Sequence, residues 1–183
     1  MSLQYLILGI LKYGPASGYE LNKAFQASAQ HFWHTEQSQI YRALYRLEDE
    51  GWVEVEEIIQ DGVPNKKEYR LTSNGRTELH RWLVETKSLT AVREAWIGQL
   101  FFGNELNVAE MEVVLQARIA VLQQAIIAFE REIPAQCAEY AALYNAADDA
   151  WFWNLTIDYG LRKLQFDLQW AQEALAKIKA HAK

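Results

Sequence analysis

Leu3, Leu6, Ile7, Ile10 and Leu11 recur at the spacing of one helical face, and Gly14-Pro15 closes that first amphipathic segment. A second short helix is predicted after Ser17-Gly18, with Leu21, Ala24 and Phe25 inward, and the stretch from His31 to Thr35 reads as a loop or fraying end. The next segment runs from Thr35 to Glu48 and is ended by Gly51. At about 100° per residue, Ile40, Ala43, Leu44 and Leu47 fall on one side and form its core face. Ser38, Tyr41, Arg42 and Tyr45 fall on the opposite side, with Gln37, Gln39 and Arg46 flanking. The period then changes to two. Trp52 to Glu56 and Lys66 to Leu71 alternate as strands around a turn at Asp61 to Asn65, which makes a hairpin of about 53–71. Thr72 is placed to cap a further helix from Ser73 to about Lys87.

The second half is helical throughout. One helix ends at Phe101-Phe102-Gly103-Asn104, and Asn107 caps the next, predicted to stop near Arg131 ahead of Pro134. Met111, Leu115, Leu122, Ala125 and Phe129 keep heptad-like spacing in it. A short Ala-rich helix is predicted from Pro134 to Ala147, and Asp148-Asp149 opens the last one. There Ile157, Leu161, Leu164, Leu168, Ala171, Leu175 and Ile178 alternate steps of four and three, the seam of a coiled coil. Phe152, Tyr159 and Phe166 form a second stripe, so one stripe can pack within the chain while the other meets a partner. The seam residues Ile157, Leu161, Leu164, Leu168, Leu175 and Ile178 are the expected dimer contacts. The competing reading makes both stripes intrachain core.

The fold class expected is mainly α with a small β-hairpin. It comprises an N-terminal winged helix-turn-helix over 1–88 and a C-terminal helical dimerisation arm over 89–183. With 50% apolar residues the chain can bury a core, which excludes general disorder. One cysteine, Cys137, forms no internal disulfide and fits a reducing cytoplasm. The N-terminus lacks the pattern of a signal peptide, and no run of about 18 apolar residues suggests a membrane partner.

Charge complicates a nucleic-acid reading. The net charge is −6, and the first 90 residues carry 10 basic against 12 acidic side chains. Phosphate neutralisation is local, however, so what matters is where the cations sit. An outer helix face of Gln, Ser, Tyr and Arg suits a recognition helix (about 37–50) in the major groove, since Arg pairs with guanine and Gln with adenine. The DNA-contacting set expected is Gln37, Ser38, Gln39, Tyr41, Arg42 and Tyr45, together with Tyr19 and the wing residues Asn65, Lys66 and Lys67.

Several motifs in order resemble the PadR family of transcription regulators. They are Gly14-Pro15, Gly18-Tyr19-Glu20-Leu21, Ile40-Tyr41-Arg42-Ala43-Leu44, Leu47-Glu48-Asp49-Glu50-Gly51 and Tyr69-Arg70-Leu71-Thr72-Ser73-Asn74-Gly75. Phe32-Trp33, Gln39-Ile40-Tyr41-Arg42 and the segment from Arg93 to Gly103 are similar to the family's virulence-activator branch. Many members carry Pro where Arg42 stands, which disfavours a phenolic-acid sensor. The resemblance implies a homodimer that contacts operator DNA through its third helix and wing. It also implies a C-terminal helical domain that exchanges helices between subunits. A small-molecule effector or a partner regulator is the expected source of control, and Trp96, Trp151 and Trp153 are the candidate lining of an effector pocket.

Other chemistry has little support. His31 and His34 have a ligand-like spacing but no third ligand nearby, so no metal or cofactor is expected. No phosphate-binding Gly-rich loop or nucleophile elbow occurs, which argues against an enzyme. The alternative to a DNA-binding regulator is a winged-helix protein–protein module that leaves DNA alone.

Overall fold

The computed structural model describes residues 2–59, 65–89 and 94–181. Its elements in order are α1 (Ser2–Leu11), β1 (Ala16–Ser17), α2 (Gly18–Ser28), α3 (Gln37–Asp49), β2 (Val53–Ile58), β3 (Lys66–Leu71) and α4 (Ser73–Val84). After them come α5 (Ala95–Phe101), a short 3-10 turn at Gly103–Glu105, α6 (Val108–Leu143) and α7 (Ala147–His181). The expected mainly helical class with a small sheet is what the chain adopts. The sheet has three antiparallel strands in the order β1-β3-β2, with Ala16 opposite Tyr69 and Val55 opposite the same Tyr69 from the other side.

Local chemistry explains the helix starts. Ser17 caps α2: its hydroxyl accepts from the Glu20 amide while the Glu20 carboxylate accepts from the Ser17 amide at 2.8 Å. Thr72 Oγ1 accepts from the Gly75 amide at 3.0 Å and caps α4. Asn107 and Glu110 exchange the same pair of bonds ahead of α6. The turn expected at Asp61 to Asn65 lies outside the described residues except for Asn65.

Two compact units emerge. The first takes residues 1–87 together with 136–150, and the second takes 88–135 together with 151–183. A segment of the second half, the elbow between α6 and α7, thus packs within the first unit. Lys12 Nζ meets Asp149 Oδ1 at 2.5 Å, and the Tyr13 ring stands edge-on to Tyr140. Cys137 is buried there, with its thiol pushed up by desolvation, as a small apolar residue would be. In the core of the first unit Ile7, Leu8, Leu21, Phe25, Ile40, Leu44 and Leu47 are almost fully buried, joined by Val53 and Tyr69 from the sheet.

In the second unit α6 is one helix, with Pro134 inside it, where a break at Arg131 and a separate helix were expected. Proline removes one hydrogen bond and crowds the carbonyl four residues back. The packing of Cys137, Tyr140 and Ala141 beyond it keeps the helix going. By length and composition α6 could cross a membrane. Its Arg118 pairs with Glu94, its Glu112 pairs with Lys179, and Met111, Leu115 and Leu122 are buried, while most of its apolar stretch is not.

The expected coiled-coil seam of α7 is partly covered within the chain. Ile157 and Ala171 are buried, and Leu161, Leu164, Leu168, Leu175 and Ile178 are half-buried, within a single chain. Helix α7 runs antiparallel to α6: Glu112 meets Lys179, and Phe129 lies over Gly160, where an added Cβ would sit 2.3 Å from its ring. Small residues at 160 and 171 admit that close approach. The other stripe, Phe152, Leu155, Tyr159 and Phe166, stays more than half exposed.

Candidate nucleic-acid interface

The residues expected on the outside of α3 are there. Gln37, Ser38, Arg42 and Tyr45 are exposed, and Tyr41 is half-buried on one flank. Its ring rests on the start of α2, where a Cβ on Gly18 would come within 2.4 Å of the Tyr41 ring, so the glycine is what lets the ring lie there. Tyr41 and Tyr45 share a hollow of about 530 Å³ with Tyr19, Asn65, Lys66 and Lys67. Lys23 sits 4.8 Å over the Tyr19 ring and holds it in place. Seven of the ten expected DNA contacts are thus arranged along α3 and the mouth of that hollow, with side chains that hydrogen-bond or ion-pair to no other side chain among the described residues.

Three are engaged by other groups of the chain. Gln39 Oε1 accepts from Thr35 Oγ1 at 2.9 Å and from the Glu36 amide at 3.1 Å, closing a capping box at the start of α3. Its amide oxygen is therefore occupied by the helix end. Lys66 Nζ meets Glu20 Oε1 at 3.0 Å and Glu68 Oε1 at 3.5 Å. Hydrogen bonds from the Ser17 amide and hydroxyl, then Lys66, hold the Glu20 carboxyl down to about 2, so it is ionised throughout the neutral range. Because the folded value is depressed, the contribution of that carboxylate is present above its ordinary value near 4.5 and fades as pH falls toward 2. Lys66 is thus neutralised within the chain. Asn65 Nδ2 donates to Glu57 across the wing at 3.1 Å.

The cations sort by pairing. In residues 1–87, Lys12, Lys66, Arg70, Arg81 and Lys87 each form an ion pair. Lys23, Arg42, Arg46, Lys67 and Arg76 form none among the described residues. Lys23, Arg42, Arg46 and Lys67 surround α3 and its adjoining hollow. Arg42 Nε makes only a 3.4 Å bond to the Ser38 carbonyl one turn back. A chain of net charge −6 thus keeps unpaired positive charge around one helix.

The three tryptophans proposed for an effector pocket are not brought together. Trp96 packs edge-on to Trp170 and under Arg118, while the Glu94 carboxylate takes its indole N–H. Trp153 lies 17 positions before Trp170 on the same helix, about 25 Å along it. Trp151 is exposed and edge-on to Phe152. Aromatic residues close in helical phase can still be a long way apart along the axis, and sequence alone did not carry that distance.

Three short helices, a three-stranded sheet with β2 and β3 as its wing, and a polar third helix ringed by unpaired cations define a winged helix-turn-helix protein with a helical arm. Residues 7–81 match the model of the Transcriptional regulator PadR-like family, and residues 92–179 match Virulence activator alpha C-term. The chain belongs to the PadR-like family and carries that C-terminal domain, as the motifs of both halves suggested. It is 37% identical over 101 residues to the Negative transcriptional regulator PadR of Bacillus subtilis, a match covering 55% of this chain and 56% of that one. The chain spans about half the length of the curated relatives it matches. Solved structures are similar over nearly the whole chain. Bacillus subtilis PadR in complex with operator DNA has a TM-score of 0.81 at 26% identity, covering 97% of this chain and 99% of that one. The Vibrio cholerae virulence activator AphA has a TM-score of 0.75 at 26% identity, covering 98% and 99%.

Proposed function

We propose that this chain is a cytoplasmic, homodimeric transcription regulator that binds an operator in double-stranded DNA and has no catalytic role. In this reading α3 enters the major groove and the β2–β3 wing lies on the backbone. The observation that carries it is the set of unpaired cations around α3 in a chain that is acidic overall. Fluorescence anisotropy with the duplex upstream of its own gene, against a scrambled duplex, tests it. A protein–protein module would bind neither. The clustering of positive charge at α3 favours DNA over that alternative, because phosphate is the partner that rewards it.

The dimer contact is assigned to the exposed stripe of α7, with Phe152, Leu155, Tyr159 and Phe166 meeting a second copy. The half-burial of the Ile157 to Ile178 seam within the chain, beside the greater exposure of this stripe, supports that choice.

The site makes two variants informative. Arg42→Ala should weaken operator binding by about 1–3 kcal/mol and relax preference at one base pair, if its guanidinium reads guanine. Binding to a panel of single-base operator variants checks this, and unchanged preference removes Arg42 from base reading. Lys67→Gln should lower the log–log salt slope by about one unit. Lys66→Gln should lower it much less, because Glu20 and Glu68 already neutralise that ammonium.

A further inference from the structure

On the side of α3 away from the wing lies a second hollow, of about 400 Å³, where Gln39 and Arg42 of the expected DNA-contacting set meet residues outside that set. It is lined by Leu3 and Gln4 of α1, by Trp33 and His34 of the loop before α3, and by Gln39, Arg42 and Arg46 of α3 itself. The floor is fixed, since Ala43 and the polar Gln4 are both buried. The rim is cationic and polar. Arg46 has no ion pair among the described residues, and His34 and Trp33 are exposed.

We propose that Arg46 and His34 form a phosphate-binding flank that grips the DNA strand opposite the one held by the wing. The proposal rests on α3 entering the major groove. A helix with side chains is about 10–12 Å across and the groove about 12 Å wide, so a helix lying in it presses its two flanks on the two bounding backbones. At about 100° per residue, Ser38, Arg42 and Tyr45 point into the groove. Tyr41 and Arg46 lie on opposite flanks, about 140° apart. The Tyr41 flank has Tyr19 and Lys67. The Arg46 flank would face the second backbone with Arg42 and Arg46 as its cations and His34 as a polar neighbour.

The acidic run Glu48-Asp49-Glu50 at the end of α3 does not cancel this flank. Side chains on a helix lean toward its N-terminus, so Arg46 reaches over the turn of Arg42 and away from that run. Trp33 and the α1 residues Leu3 and Gln4 line the same hollow on its inner side. A phosphate there would take N–H bonds from Arg46 and His34, and neither residue would meet a base edge.

The test is a salt titration of binding, by anisotropy, with two 30-base-pair duplexes: the DNA upstream of the protein's own gene and a mixed-sequence control. Arg46→Gln should reduce the slope of log affinity against log salt by about 0.9 and weaken both duplexes roughly eight-fold at 0.1 M salt. Adding His34→Ala should weaken both further and leave their ratio unchanged. Lys67→Gln serves as the control for the wing strand, and circular dichroism confirms that each variant is folded. A double variant with wild-type slope and affinity overturns the flank while the wing control still responds. A changed ratio between the duplexes also overturns it, since that would mean base reading. If the wild-type chain binds neither duplex, the DNA reading fails and the flank fails with it.

Discussion

A chain carrying Tyr159→Glu and Phe166→Glu should sediment as a folded monomer and lose operator affinity by two orders of magnitude or more. Both side chains stand more than half exposed on α7, seven residues apart on the stripe that starts at Phe152. Placing charges there costs the monomer little, because nothing in its own chain covers them. In a dimer the same charges would be buried without partners, which is strongly unfavourable. Operator half-sites about 34–36 Å apart need both reading heads at once, and linking two modest contacts is worth about 10²–10⁴ in affinity. The companion variant Leu164→Glu with Leu168→Glu should behave differently. Those positions lie half-buried within the chain, so the charges enter its own helical unit and should melt it. Sedimentation velocity with circular dichroism separates the outcomes. A Tyr159→Glu, Phe166→Glu protein that remains a dimer would place the interface on another face.

The second large effect is expected from Leu44→Ala. Leu44 is fully buried on the inner face of α3, in the cluster that holds Ile7, Leu8, Leu21, Phe25 and Leu47. Truncating such a side chain removes its transfer free energy and leaves a cavity that rigid neighbours fill only in part, which costs about 2–5 kcal/mol. For a unit of this size each kcal/mol is about 4–8 °C of melting temperature, so a drop of roughly 10–30 °C is expected by calorimetry. Since Leu44 sits one turn behind the reading face, DNA affinity of the folded fraction should be nearly unchanged. Saturating operator duplex should restore part of the lost melting temperature, because the ligand binds only the native state. Tyr45→Ala, on the exposed face next to it, should shift stability by no more than about 0.5 kcal/mol while weakening DNA binding. Equal stability losses at 44 and 45 would mean that the two faces of α3 are wrongly assigned.

Much of this was readable because local chemistry and helical period agree. Ile40, Ala43, Leu44 and Leu47 had to face one way, and Thr72 and Asn107 could each cap only the helix on their C-terminal side. Two features escaped for physical reasons. Strand β1 is Ala16 and Ser17, too short to show alternation, and exists only because Tyr69 and Glu68 pair with it from about 50 residues away. The two stripes of α7 have one and the same period, so periodicity could not say which faces inward. Gly160 and Ala171, small residues that admit close packing on one side, were the available signal. The neutralisation of Lys66 by Glu20 is likewise a contact between residues 46 apart in sequence, invisible to any local rule.

With the proposed dimer contact, the bare aromatic face of α7 would also make this protein a gauge of its own abundance. A stripe that closed only when a second copy arrived would tie assembly to mass action. While dimers are the minority, operator occupancy rises with the square of protomer concentration. Halving expression then cuts occupancy about four-fold, so a modest change in synthesis or turnover acts as a sharp control without any ligand.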